Sequence, residues 1–171
     1  MIKLIGIALI LISTAATGAA MVGGVHATLD QTRALQQLLQ LMRSEIQYHL
    51  TPLPEIFAAA SKTISGPVGV LCENIAASML DGQPQTVYFA VKSAMDKTDR
   101  LSVSRAAQGA FLDLARSLGR YDLDSQLCAI DYCLERLGTI LATLEAEKSA
   151  RCRSYGAVCA CAGVCFLIIV V

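Results

Sequence analysis

The sequence predicts an all-α protein, a bundle of roughly six helices flanked by N- and C-terminal transmembrane helices. Three observations carry this expectation. Apolar residues in the middle of the chain recur at three- and four-residue steps, with no convincing strand alternation. No charged side chain appears from Leu4 to Val25, and none again from Tyr155 to Val171. Proline, glycine and aspartate fall between the periodic stretches, where helices stop and start.

The first element, over residues 1–26, reads as a membrane helix. An ionised side chain costs about 2.5–3.5 kcal/mol at the centre of such a helix, so a charge-free run is informative. This run is long enough to cross a hydrocarbon core of about 30 Å. Lys3 and Ala15-Ala16-Thr17-Gly18-Ala19-Ala20 also imitate a secretory signal with a small-residue cleavage site. The apolar run continues through Met21 and Val22 and the basic segment is one lysine, so retention is expected. Cleavage would instead leave an extracytoplasmic helical domain, a sensor or interaction module tethered by its C-terminal end.

Residues 27–153 form the second region, a helical bundle domain. Leu35, Leu38, Leu39, Met42 and Ile46 line one face of the first helix, with Gln36, Gln37, Gln40, Arg43 and Gln47 opposite. Thr51-Pro52-Leu53-Pro54 ends it, because proline disfavours helical backbone in the residue before it. Thr51 is expected to cap the second helix, whose first turn tolerates both prolines. That helix holds Ile56, Phe57 and Ala60 and ends near Ser65-Gly66-Pro67. A third runs from Val68 through Leu71, Ile75 and Met79 to Asp81-Gly82, with Gly66 and Gly69 as helix punctuation. The fourth covers Thr86 to about Lys97, with Val87, Phe89, Ala90, Val91 and Ala94 as its apolar set. The fifth starts near Ser102, carries Ala106, Ala107, Ala110, Phe111, Leu114 and Leu118, and ends at Gly119. The last opens with Asp122 as its N-cap and Asp124 in its first turn, where the helix dipole favours negative charge. Its apolar face runs Leu127, Ile130, Leu134, Leu137, Leu141 and Leu144. No proline follows, so one long helix is expected to run on into the third region.

That region, residues 154–171, reads as a second transmembrane helix. At about 1.5 Å per residue it reaches roughly 25 Å, short for a bilayer core but usable. Lys148, Arg151 and Arg153 crowd its approach, and positive segments stay on the cytoplasmic side. Lys3 and Arg33 oppose one another across the first span. The balance puts the middle domain in the cytoplasm and both termini across a cell membrane.

Composition removes several function classes. Fourteen basic residues balance fourteen acidic ones, leaving no excess to neutralise phosphates, so nucleic acid is not an expected partner. Hydrophobic residues make up 54% of the chain and charged ones 16%, which fits one domain plus membrane segments. No G-x-x-x-x-G-K-[ST] loop is present for nucleotide phosphates. His26 abuts a span and His49 ends a helix, and neither has spacing that suggests catalysis with Cys72 or Cys128. Cys72, Cys128 and Cys133 are expected as small buried hydrophobes. Cys159, Cys161 and Cys165 lie in the apolar tail, and a lipid-facing helix does not stabilise ligand thiolates. No enzyme activity, cofactor or metal is therefore expected.

The segment Arg43-Ser44-Glu45-Ile46-Gln47-Tyr48-His49-Leu50-Thr51-Pro52-Leu53-Pro54-Glu55 resembles a signature of the stage III sporulation protein AB family. Leu118-Gly119-Arg120-Tyr121-Asp122-Leu123-Asp124-Ser125-Gln126 resembles a second family block, and the closing Tyr155-Gly156 with its apolar tail a third. The chain departs from the family at Leu114-Ala115-Arg116-Ser117, where Phe-Gly is common, and has Tyr88 and Phe89 near a usual tryptophan. The resemblance implies endospore formation, in a secretion-like channel complex joining mother cell and forespore. The family is similar to the inner-membrane platform protein of type II secretion and type IV pilus machines. It implies a platform in the mother-cell membrane around the forespore. Its partners would be a cytoplasmic ATPase of the same operon, stage III sporulation protein AA, other membrane proteins of the complex and membrane lipid, with self-association left open. Arg43, Glu45, Tyr48, Glu55, Arg120, Asp122 and Asp124 are the candidate partner-contact residues, the competing reading being that they serve the turns they sit in.

Overall fold

A computed structural model of the chain describes residues 24, 26–81, 86–119 and 122–170, with side chains described as far as residue 149. Six helices and no strand occur among the described residues. Helix α1 covers 26–44 and passes into one π-helical turn, Glu45–His49. It is followed by α2 (Leu53–Thr63), α3 (Pro67–Leu80), α4 (Val87–Lys97), α5 (Arg105–Ser117) and α6 (Leu123–Val170). The expected single long last helix is thus present. The chain divides into a compact unit, Thr28–Ala142, and a second unit of Met1–Ala27 with Thr143–Val171. In the second unit, α6 remains helical to Val170. Among the described residues no helix is long and apolar enough to cross a membrane. The spans expected over 1–26 and 154–171 lie outside them, save Gly24, His26 and the helical backbone of α6.

Within Thr28–Ala142 the apolar faces meet as their periodicity demands. Leu35, Leu38, Leu39, Met42 and Ile46 of α1 are all buried, with Ile56 and Phe57 of α2, Leu71 and Ile75 of α3, and Phe111 of α5. Fully burying one such side chain stabilises by about 1.5–3 kcal/mol, so this shared interior dominates the unit's stability. Helices α2 to α5 pack consecutively, each on the next. Polar ties fix the remaining approaches. Gln31 of α1 donates to the Arg100 carbonyl at 3.1 Å and accepts from the Ser102 amide at 2.6 Å, pinning the α4–α5 connection. Asp113 of α5 pairs with Arg136 of α6 at 3.2 Å. The Cys133 thiol donates to the Ala110 carbonyl at 3.4 Å.

Several local expectations are corrected. Phe89 is 58% exposed. It stands two residues from Val87, about 200° round the helix and opposite the face that buries Ala90, Val91 and Ala94. Ala106 is exposed on α5 while Ala115 takes an inward position, because the buried stripe runs Ala107, Ala110, Phe111, Leu114. Cys128 is exposed, off the stripe that buries Ile130, Cys133 and Leu137. The fifth helix starts later than Ser102, because Ser104 is its N-cap and accepts from the Ala107 amide at 3.2 Å. Gly69 is more than punctuation. It lies buried in α3, where an added Cβ would collide with the Ile64 carbonyl oxygen at the end of α2. Only glycine lets these two helices approach so closely. Its neighbour Gly66 turns the chain between them at φ +81°, a conformation that side chains resist.

Candidate partner-docking site

The two sequence blocks, distant along the chain, come together in the Thr28–Ala142 unit. Ile46, Leu50, Thr51, Pro52 and Leu53 from the first, with Gly119, Leu123 and Gln126 from the second, line one open groove of about 280 Å³. Leu53 Cδ1 and Val87 Cγ2 stand 3.9 and 3.7 Å from where a Gly119 Cβ would be, so the two blocks pack closely here.

The first wall is built by an irregular stop. Widening α1 into a π-turn lets the Leu50 amide reach the Glu45 carbonyl, and the Thr51 amide bonds the same oxygen at 3.4 Å. Leu50 then sits at φ +52°, ψ +34°, in the left-handed region where helix ends usually place glycine or asparagine. Thr51 does not cap α2 as expected. Its hydroxyl donates back to Glu45 Oε2 at 2.8 Å, and His49 Nδ1 lies 3.6 Å from the same oxygen. The N-cap is Pro52, with no side-chain bond. Its carbonyl accepts from the Glu55 and Ile56 amides at 3.0 and 3.1 Å, while Pro54 has no N–H to satisfy.

The second wall is the start of α6. Asp122 caps it as expected, accepting from the Ser125 amide at 3.4 Å. The Ser125 bonds hold the Asp122 carboxyl below the usual carboxylate range.

Of the seven candidate contact residues, three have structural work. Arg43 grips Asp131 of α6 with both carboxylate oxygens engaged, at 2.6 and 3.3 Å, and steadies Gln47 at 3.0 Å. The Asp131 bond raises the Arg43 pKa further. Glu45 holds the turn, and Asp122 the cap. Tyr48, Glu55 and Asp124 are exposed, and Arg120 lies outside the described residues. Two exposed apolar residues beside them, Leu50 and Leu123, were not among the sequence candidates. Leu50 and Tyr48 are each 71% exposed and Leu123 is 39% exposed. The available signal was a leucine at the very position where a helix stop favours glycine or asparagine.

Burial pushes the Cys72 thiol up to about 12 and the Cys133 thiol to about 11, so both stay protonated and poorly nucleophilic at neutral pH. Among the described residues no three His, Cys, Asp or Glu side chains gather to hold a metal.

A family model described as stage III sporulation protein AB matches residues 3–171. A solved structure of a stage III sporulation protein AB is similar at 22% identity with a TM-score of 0.64, covering 72% of this chain and 98% of that one. At that identity the likeness speaks for the fold. No curated protein matches the chain.

Proposed function

Because this chain belongs to the stage III sporulation protein AB family, we propose that it is a non-enzymatic membrane platform in the mother cell–forespore complex that sporulation requires. The middle region, 27–153, stands in the mother-cell cytoplasm and couples to a cytoplasmic ATPase of the same operon. Residues 1–26 and 154–171 hold it in the membrane around the forespore. The observation that carries this reading is the groove, where two sequence blocks converge on exposed apolar side chains. The charge-free ends support the membrane assignment, and Lys148, Arg151 and Arg153 support the orientation.

The full chain is expected neither to bind nor to hydrolyse ATP, and to associate with the purified ATPase. A folded chain that shows no association, together with a null strain that sporulates normally, would defeat the platform reading. Topology has its own test in the exposed Cys128. With the outer mother-cell membrane permeabilised and the membrane around the forespore still sealed, a membrane-impermeant maleimide should label the peptide containing Cys128. Labelling only after that second membrane is opened, with an intact-mass spectrum showing loss of the Ala15–Ala20 region, would favour the tethered extracytoplasmic domain instead.

A further inference from the structure

We propose that the Leu50–Leu123 groove docks a partner-protein segment in which apolar side chains are interleaved with lysine or arginine. The inference deepens the platform reading and rests on it for the partner used in one arm of its test.

The apolar half follows from Leu50. A leucine is held at φ +52° by Glu45 and Thr51, yet 71% of it faces solvent, so neither backbone preference nor burial accounts for it. Strained residues persist where their surroundings over-determine them, and such positions cluster at functional sites. Leu123 and Leu53 complete the apolar floor with Pro52 and Ile46. Together they offer a desolvating pocket at the centre of a contact, where binding energy concentrates.

The basic half follows from the rim. Glu45 holds Thr51, a groove residue, and Glu55 lies two residues beyond Leu53. Asp122 and Asp124 bracket Leu123. The starts of α2 and α6 both adjoin the groove, and a helix start carries about half a positive charge. Four carboxylates outweigh these two half-charges and Arg120, the basic residue that follows Gly119 in the sequence. Arg43, on α1 one turn before Gln47, is already engaged by Asp131. An anionic lipid surface, a phosphate-bearing ligand or a second copy docking through this same rim would meet like charge. A cationic segment meets its complement, which acts first on association rate and salt dependence.

The test places p-benzoylphenylalanine at Leu50 of the full chain in sporulating cells and sequences the photo-cross-linked peptide. The same chain, in nanodiscs of zwitterionic lipid, is titrated with the purified ATPase at low and high salt. A cross-linked peptide carrying lysine or arginine among apolar residues is expected. Association should weaken with salt and fall about tenfold in the Glu55→Lys/Asp124→Lys pair, the scale of two rim ion pairs. Leu50→Asn should also bind less tightly while folding at least as well, since asparagine accepts left-handed backbone. An acidic or purely polar cross-linked peptide, or no cross-link, overturns the proposal. So does ATPase association that is indifferent to salt and to Leu50→Asn, which would leave the platform reading standing. A basic, apolar peptide from some other protein, with no ATPase association, would sink the ATPase coupling and keep the docking chemistry.

Discussion

Two breaks in the helical chain, at Ile64–Pro67 and at His49–Pro54, solve the same problem in opposite ways. Both end a helix ahead of a proline. At the first, Gly66 takes the positive φ and Gly69 makes room for the Ile64 carbonyl, with Ile64 and Val68 buried on either side. Every residue there suits the backbone it must adopt. At the second, a leucine takes the positive φ, a carboxylate and a threonine hydroxyl hold it there, and its side chain faces water. Fold stability explains the first break and leaves Leu50 unexplained. That difference is what the docking proposal rests on: the second break keeps an exposed leucine in left-handed backbone that the bundle does not bury.

The largest effect should come from spoiling the first break. In the excised Thr28–Ala142 unit, Gly69→Ala should destabilise by about 3 kcal/mol, since the added Cβ meets backbone that cannot swing aside. Chemical denaturation measures this, and a cost below about 1 kcal/mol would mean that the α2–α3 approach is looser than described.

Leu53→Asp comes next, at about 2 kcal/mol, because a carboxylate would replace a half-buried side chain packed beside Gly119 and Val87. Gln47→Asp should cost much less, though not nothing, since Gln47 accepts from Arg43. Equal melting temperatures for the two variants would contradict the packing of Leu53 against the core.

Leu50→Asn should move the other way, raising stability by about 0.5–1 kcal/mol through relief of left-handed strain. A clear loss would show that Leu50 supports the fold, and the comparison between the two breaks would collapse. The smallest effect belongs to Arg43→Ala, a slight and salt-screened fall in melting temperature, because the Arg43–Asp131 pair is half exposed. Acid should also weaken the start of α6. The Asp122 carboxyl sits below its usual range when folded, so its contribution is present at neutral pH and lost as pH falls through that lowered value. Asp122→Asn should flatten this acid response.

Much of the fold was legible because its signals are local. The three- and four-residue steps identified the buried faces of α1 and α2, and the proline and glycine stops bounded the helices well. Phe89 and Cys128 were misplaced for a shared reason. Hydrophobicity suggested burial, but helical angle put both residues away from the inward stripe. The close approach at Gly69 was not legible, because nothing local says that a carbonyl from another helix will arrive there. The site was half legible. Its two blocks were visible as motifs, and Asp122 as a cap, but the exposure of Leu50 and Leu123 was not. Whether an apolar side chain faces out depends on backbone dihedrals at a break, which composition does not encode.

One measurement reaches the central claim most directly: sporulation efficiency of a strain whose only copy carries Leu50→Asn, with the steady-state level of the protein followed in parallel. The expected result is a protein as abundant as wild type, and at least as stable, that supports sporulation poorly. Normal sporulation at normal abundance would contradict the account, because the exposed, strained leucine would then do nothing outside the fold.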